Sequence, residues 1–450
     1  MLTAATADTD LLAAQSNLYR RLSANLYETK SPGEYFHIHG SLEATVTLNM
    51  IGLPGHLSET PSYRDCIDLI ERHVKRYTAE ELETMNAERN QAGVACLKPD
   101  EFKATEHGRI LSQEPPWRLE TLESDSPPAP FPASPNPQRT PKPQILSGIK
   151  VLELCRIIAG PCMGRGLAEY GASVIKVTSP KLSDVPFFQV DLNLGKHTVD
   201  LDLKNPADRA IFEYLLRDVD VVLDGYRPGS LERLGYGPKR LVELTKGRGK
   251  GIVYVTENCF GHVGPWAGRP GWQQIADCVT GVAWEQGRFM GLDEPVVPPF
   301  PMSDYGTGCM GTIAALTGLY RRAMHGGSYW AGTSLCQYDI FLLSLDTYAP
   351  EIQERLRAMH DKAFFELKHH DSVDEVGKRA LTTIRRTRPE LFEDKHFGQS
   401  YSRGFKAPVK FVRPVVSVEG TWNGWVRQAR PNGFDEIKWD DWEIEEAMMS

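Results

Sequence analysis

Short apolar runs alternate with longer amphipathic runs through the middle of the chain. The apolar runs are IKVLEL, SVIKV, TVDLDL, DVVLD and GIVYVTE, and the runs between them include GRGLAEYGA and PADRAIFEYLLRDV. Strands that alternate with helices in this way predict a parallel sheet with helices on its faces. Ligands of such sheets bind beyond the carboxyl ends of the strands. We therefore expect a site in the loops after Leu154, Val177, Asp224 and Glu257.

Two helices outside this alternation have clear end signals. Thr78 and Glu81 form a capping-box pattern at the start of TAEELETMNAERNQAG, and Gly93 is a stop signal. The segment DYGTGCMGTIAALTGLYRRAMH predicts a long helix from Asp304 to His325, with an acidic start and a basic end that suit the helix dipole. Its glycine and alanine content predicts close packing against a neighbour.

A proline-rich stretch divides the chain. Residues 124–144 contain eight prolines, which exclude a helix or a central strand and favour an extended spacer. We predict four parts: a smaller N-terminal unit over residues 1–123, a linker over 124–144, an α/β core over 145–330, and a C-terminal helical and irregular region over 331–450.

Composition narrows the class of protein. The hydrophobic fraction is 41%, the charged fraction is 24% and the net charge is -8. This acidic balance argues against nucleic acid, whose phosphates are bound by Lys and Arg clusters. The sequence shows neither a membrane-spanning apolar run nor a basic N-terminal start, so we expect a cytoplasmic protein with no membrane contact. Eight cysteines without a C-x-x-C pair predict buried free thiols and no metal site.

The glycines after the first strand suggest a dinucleotide site at first sight. Gly160, Gly164 and Gly166 follow VLEL, but the glycine spacing is wrong and Thr178 stands where a ribose-binding acid is needed. We therefore do not predict a nicotinamide-binding site.

Five blocks in order resemble another family. They are LSGIKVLELCRIIAGPCMGRGLAEYGASVIKV, NLGKHTVDLDLKNPADR, DVVLDGYRPGSLERLGYG, GHVGPWAGRPGW and PMSDYGTG. Together they resemble the family III CoA-transferases, also called the CaiB/BaiF family, which includes the α-methylacyl-CoA racemases. The resemblance implies a doubly wound, mostly parallel sheet with a smaller α+β second domain. It also implies an interlocked homodimer and coenzyme A or an acyl-CoA as substrate, with no metal.

The resemblance also implies residues that bind the cofactor. The family lays CoA against the first strand-to-helix loop, and Tyr226 stands at an aromatic position that covers the adenine or the pantetheine. Gly225 replaces the family's usual Asn beside it. The implied cofactor-binding residues are Ile157, Ile158, Ala159, Lys196, Tyr226 and Arg233, with the two cations facing phosphates.

The catalytic position departs from the family pattern. Family III transferases are similar in having an aspartate nucleophile after an aromatic residue, and this chain has Trp272 followed by Gln273. An amide oxygen cannot form the acyl anhydride of that mechanism. The racemases use a His-Asp pair at the same two positions, and that pair is absent as well. Asp304 matches the second acidic position of the racemases, and His262 is a candidate proton donor, so the catalytic candidates are Asp304, Gln273 and His262, with Trp272 in the substrate pocket.

The N-terminal segment also resembles the family, in its small domain and C-terminal portion. Because those elements precede the core here, we interpret residues 1–123 as a small-domain-like unit or the remnant of a first family copy. Three functions stay open. The first is a transferase-like enzyme acting on an acyl-CoA or a related activated acid, with its nucleophile replaced. The second is an isomerase or epimerase of the same fold that moves a proton α to a carbonyl, with or without CoA. The third is a non-catalytic homologue.

Overall fold

A computed structural model describes residues 10–132, 140, 142–439, 445 and 448. Residues 10–123 form short helices around a small antiparallel sheet, followed by one strand that joins a larger sheet. The helices are α1 (Leu18–Arg21), α2 (Ala44–Met50), α3 (Tyr63–Val74), α4 (Ala79–Glu88), α5 (Pro99–Ala104) and α6 (Glu106–Leu111). The strands are β1 (Ala24–Glu28), β2 (Tyr35–His39), β3 (Val94–Ala95) and β4 (Arg118–Glu123).

Residues 150–344 alternate between strands and helices. The strands are β5 (Lys150–Leu154), β6 (Ser173–Thr178), β7 (His197–Asp200), β8 (Val221–Asp224), β9 (Val253–Asn258) and β10 (Ser328–Ser334). The helices are α7 (Ala159–Glu169), α8 (Pro186–Leu192), α9 (Pro206–Leu216), α10 (Ser230–Arg233), α11 (Pro238–Leu244), α12 (Gln273–Thr280), α13 (Val282–Phe289), α14 (Met302–His325) and α15 (Leu335–Ser344). This is the predicted α/β alternation.

The C-terminal residues add two helices and a hairpin. They are α16 (Pro350–Met359), α17 (Val373–Thr387), β11 (Phe397–Ser402) and β12 (Ala407–Val412). Three short 3₁₀ helices lie beside them, at Lys362–Glu366, Pro389–Phe392 and Asp394–His396.

The large sheet has seven strands in the order β4-β10-β9-β8-β5-β6-β7. Every neighbouring pair is parallel except β4 with β10, which is antiparallel. The chain winds from β5 outward through β6 to β7, and then returns to build β8, β9 and β10 on the other side. The order therefore reverses between β5 and β8, and ligands bind at this kind of switch point. The predicted doubly wound, mostly parallel sheet is confirmed.

The strand residues supply cores on both faces of the sheet. Val151 packs in one cluster with Met163 and Leu319 of the helices above it, whereas Leu152 packs on the opposite face with Phe212. Successive residues of a strand point to opposite faces. A strand covered on both faces has to be continuously apolar, and the sequence pattern shows this.

Helix α14 packs closely on α7. A Cβ on Gly308 would lie 2.4 Å from Cys162 Cβ, and a Cβ on Gly311 would lie 2.2 Å from Met163 Sδ. The Cβ of Cys162 is fixed by its backbone and cannot rotate away, so this approach requires glycine at residue 308. The predicted close packing is therefore present, and it brings the start of α14 next to the start of α7.

Some predicted boundaries need correction. Helix α14 begins at Met302, so Asp304 lies in its first turn and does not cap it. Helix α4 has the predicted capping box at Thr78 but ends at Glu88, because the chain turns at Asn90, whose φ is +52°. Gly93 lies beyond this turn.

The linker and the domain division stay predictions. Residues 133–139 and 141 of the proline-rich stretch lie outside the described residues. The strand β4, just before the stretch, pairs with β10 and so belongs to the large sheet. In the described part of the chain, no helix is long and apolar enough to cross a membrane.

Candidate active site

A cavity of about 350 Å³ opens at the carboxyl edge of the large sheet. It is bounded by the loops that follow β5, β6, β8 and β9, which are the four loops chosen from the sequence. A second cavity of about 490 Å³ shares part of this lining and extends toward α17. The shared residues are His39, Ser41, Ile157, Trp272 and Asp304.

The loop between β5 and α7 forms one wall. Ile157 lines both cavities, Ile158 lines the second one and Ala159 lines the first. Ile158 has a φ of +48°, which is a true outlier for a β-branched residue. Such strain is retained where the surrounding structure demands one backbone path, and it occurs often at ligand sites. The loop that the resemblance assigns to the cofactor is thus the strained wall of the cavity.

The loop after β8 forms the opposite wall and carries Tyr226. The Tyr226 backbone N–H donates to Asp224 Oδ1 at 3.0 Å, and the Tyr254 hydroxyl donates to Asp224 Oδ2 at 2.6 Å. Burial raises the pKa of Asp224 to about 6, although these two hydrogen bonds act to lower it. Asp224 therefore fixes the turn that presents Tyr226 to the cavity.

Two carboxyl groups face the cavity from neighbouring elements. Glu257 lies near the end of β9 and Asp304 in the first turn of α14. Burial and the Asp224 carboxylate raise the pKa of Glu257 to about 8. Burial raises the pKa of Asp304 well above its ordinary value, and Glu257 and Asp277 raise it further, whereas a backbone hydrogen bond from Ala159 lowers it. The two groups are therefore close enough to influence each other's protonation.

Gln273 lines the second cavity, and two hydrogen bonds fix its amide group there. Its Nε2 donates to Asp277 Oδ2 at 2.6 Å and to the Phe300 carbonyl at 3.3 Å. Ser303 Oγ lies 2.5 Å from Asp277 Oδ1 and 2.7 Å from Asp339 Oδ1, so it donates its one proton to one carboxyl group and accepts a proton from the other, which completes a buried polar network. The side chain of Gln273 is thus fixed as a structural amide at the position of the expected nucleophile.

Trp272 closes the cavity on the side of the N-terminal unit. Its ring stacks on His39 with centroids 5.7 Å apart and planes 18° from parallel. Burial lowers the pKa of His39 to about 3, so this imidazole is neutral at pH 7. The N-terminal residues therefore contribute directly to the cavity, a role that the sequence pattern did not indicate.

Three predicted site residues are not brought to the cavity. Lys196 is fully buried, with Nζ 2.5 Å from Glu153 and 2.6 Å from the Pro161 carbonyl, so it is a core ion pair with no surface for a phosphate. Arg233 is exposed on α10 and donates to Ser230. His262 packs against Trp330 with Nε2 3.2 Å from the Thr333 carbonyl, and burial lowers its pKa to about 4.

The cations that do line the cavity were missed. They are Arg156, Lys181, Arg227 and Arg269. Arg269 is paired with Glu83 at 2.5 Å and Lys181 with Asp202 at 2.5 Å. Arg156, half-buried, makes no hydrogen bond or ion pair with any described residue. The signal for it was its place two residues after the end of β5.

The one set of described residues with spacing suited to a metal ion lies elsewhere. It consists of Glu71, His369 and His370. Both ring nitrogens of His369 contact carboxylates, Nε2 with Glu71 at 2.8 Å and Nδ1 with Glu294 at 2.7 Å. These contacts describe an ion-paired imidazole that ties α3 to the loops before α14 and α17.

Comparison with known proteins adds a family and several relatives. The model of CoA-transferase family III matches residues 146–363. The acetyl-coenzyme A transferase nodX of Hypoxylon pulicicidum is 37% identical over 437 residues, which are 95% of this chain and 72% of that protein. An acyl-CoA transferase of Gibberella moniliformis is 35% identical over 90% of this chain and 71% of its own length.

More distant similarities are confined to part of the chain. The human succinyl-CoA:glutarate CoA-transferase is 29% identical over 44% of this chain and 47% of its own length. Among solved structures, a CaiB/BaiF family protein from Brucella suis is 20% identical, covers 66% of this chain and 97% of its own, and has a TM-score of 0.46.

Proposed function

Because the chain belongs to CoA-transferase family III, we propose that it binds a coenzyme A thioester in the cavity at the carboxyl edge and transfers its acyl or CoA group. One observation carries this proposal. The cavity lies at the switch point between β5 and β8 and combines an apolar wall, an unpaired cation and two carboxyl groups.

Each part of the lining has a counterpart in the substrate. The Ile157 loop and the Tyr226 ring offer the apolar surface that an adenine or a pantetheine arm needs. Arg156 offers a planar guanidinium that makes no hydrogen bond or ion pair with a described residue, which suits a phosphate or a substrate carboxylate. Arg227, exposed at the rim, offers a second positive charge. These residues replace Lys196 and Arg233 as our phosphate partners.

The two rival functions make weaker use of the site. An epimerase would draw on Asp304 as its base, but the expected proton donor His262 lies outside the cavity. A non-catalytic homologue is compatible with Gln273. It gives no role to Glu257 and Asp304, the two cavity carboxyl groups whose pKa values are raised by burial. The names of the relatives, acetyl- and acyl-CoA transferases, support the transferase function.

Calorimetry with coenzyme A and acetyl-CoA tests the binding step. We expect saturable binding that Arg156→Gln weakens by about tenfold, as for one lost charge-assisted contact worth about 1.4 kcal/mol. The matched control is Arg240→Gln, since Arg240 is half-exposed on α11, pairs with Glu243 and does not line the cavity. No binding at millimolar coenzyme A would refute the proposal. Equal affinity in wild type and Arg156→Gln would remove Arg156 from the site.

The assembly and the compartment also remain proposals. We propose a homodimer with interlocked chains, as the family resemblance implies, in the cytoplasm. Sedimentation equilibrium at two protein concentrations tests the first part, and a monomer at both would contradict it.

A further inference from the structure

Family III acyl transfer needs a carboxylate oxygen, and position 273 does not provide one. The Gln273 amide cannot be ionised, and both of its N–H groups are occupied by Asp277 and the Phe300 carbonyl. If the cavity carries out acyl transfer, another side chain in it has to supply the nucleophile.

Glu257 meets the requirements for that oxygen. It lines the cavity from β9, and its carboxyl group makes no hydrogen bond or ion pair with any described residue. A Cβ on Gly225 would lie 3.6 Å from Glu257 Oε2. Gly225, which stands where the resembling family has Asn, thus brings the loop after β8 to within van der Waals distance of this oxygen, while Cys155 packs on its other side.

Asp304 meets the requirements for a proton-carrying partner. It lines the same cavity and is only 8% exposed, and the negative charge of Glu257 disfavours its ionised form. Two neighbouring carboxyl groups do not both ionise readily, and one of them keeps a proton. Glu257, the more accessible of the two, is the one positioned to lose its proton and contact substrate.

We propose that Glu257 is the acyl-accepting nucleophile of this chain, in place of the missing aspartate at position 273, and that Asp304 is its proton partner. The inference rests on the proposed CoA-thioester function and names its catalytic residues. It moves the nucleophile from the start of α12 to the end of β9.

The proposed step balances in atoms and charge. An ionised Glu257 oxygen attacks the thioester carbonyl carbon of acetyl-CoA, and a C–O bond forms as the C–S bond breaks. The electron pair of the broken bond goes to sulfur, which takes the proton of Asp304. The products are a glutamyl acetyl anhydride, the coenzyme A thiol and an ionised Asp304, so one negative charge is present before and after. The reverse reaction regenerates both groups.

Single-turnover release of free coenzyme A from acetyl-CoA tests the proposal. We expect Glu257→Gln to reduce the release rate by about 10³-fold or more, as for the loss of a nucleophile, while calorimetry shows unchanged affinity for coenzyme A. Asp304→Asn should reduce the rate by about 10²-fold or more, as for a lost proton donor. The control is Glu243→Gln, because Glu243 is exposed on α11, pairs with Arg240 and does not line the cavity, and it should leave the rate unchanged.

The outcomes separate this inference from the proposed function. Wild-type protein that binds no acetyl-CoA would refute the function itself. Wild-type protein that releases coenzyme A at the same rate as Glu257→Gln would refute the inference alone. If Glu257→Gln fails to fold, Glu257→Asp decides: a carboxyl withdrawn by one methylene should bind acetyl-CoA and release coenzyme A at least tenfold more slowly, and an unchanged rate would overturn the assignment.

Discussion

Replacing Glu257 with glutamine should stabilise the protein in a way that depends on pH. Burial and Asp224 raise the pKa of Glu257 to about 8 in the folded protein, from 4.5 without that environment. The folded state therefore binds a proton more tightly than the unfolded chain does. This carboxyl costs stability progressively as the pH rises from about 4.5 toward 8, whereas an amide of the same shape does not.

The size of the effect follows from the difference in pKa. With 1.36 kcal/mol for each pKa unit, the carboxyl costs about 3 kcal/mol at pH 7 and less than about 1 kcal/mol at pH 5. Loss of the Glu257 charge also removes a repulsion that disfavours the ionised form of Asp304, and this too increases the free energy of unfolding of the variant. Urea unfolding of wild type and Glu257→Gln at both pH values measures the difference. A gain in the free energy of unfolding that is equal at pH 5 and pH 7 would refute the raised pKa of the Glu257 carboxyl group in the folded protein.

Three further predictions follow from the same geometry. The rate of coenzyme A release should rise with pH as Glu257 loses its proton, with an apparent pKa of about 8, and a rate that is flat from pH 6 to 9 would contradict an ionised Glu257 as the reacting form. Lys196→Met should destabilise the fold by about 3–5 kcal/mol in urea unfolding, because it leaves the buried Glu153 carboxylate unpaired; a loss of coenzyme A affinity without a loss of stability would instead support Lys196 as a phosphate ligand. Gln273→Asp alone should not provide a second nucleophile, because the new carboxyl group would face Asp277. The variant should also be less stable than wild type, and adding Asp277→Asn should recover that stability.

The sequence predicts the sheet well because its strands are covered on both faces. Runs such as IKVLEL and DVVLD have to be apolar throughout to fill two cores, and the alternation with helices leaves few topologies. The loops at the carboxyl edge follow from that topology alone. Ile157, Ala159 and Tyr226 lie in those loops and line the cavity, as Trp272 and Asp304 also do, and their roles in binding and catalysis stay predictions.

Side-chain pairing was not predictable in the same way. Lys196 and Arg156 are both single cations near strand ends in the sequence, yet Lys196 points into the core to meet Glu153 and Arg156 remains unpaired at the cavity. The partner residues come from distant segments, so no local pattern distinguishes the two cases. Glu257 was named only as the end of a strand, and its role depends on the first turn of α14 lying beside it.

The contribution of the N-terminal unit was also hidden. His39 reaches Trp272 across more than 200 residues of sequence, and Glu83 pairs with Arg269 in the same region. The relatives from Hypoxylon pulicicidum and Gibberella moniliformis match this chain over 95% and 90% of its length, whereas the family model begins at residue 146. The part of the cavity wall that precedes residue 146 therefore lies outside the family model.

Trapping of the acyl-enzyme tests the central claim most directly. The protein is mixed with acetyl-CoA, treated with hydroxylamine, digested and analysed by mass spectrometry for glutamyl or aspartyl hydroxamate. We predict a hydroxamate on Glu257 that requires acetyl-CoA and is absent from Glu257→Gln. A hydroxamate on Asp304, or none in protein that releases coenzyme A from acetyl-CoA, would contradict Glu257 as the acyl-accepting residue.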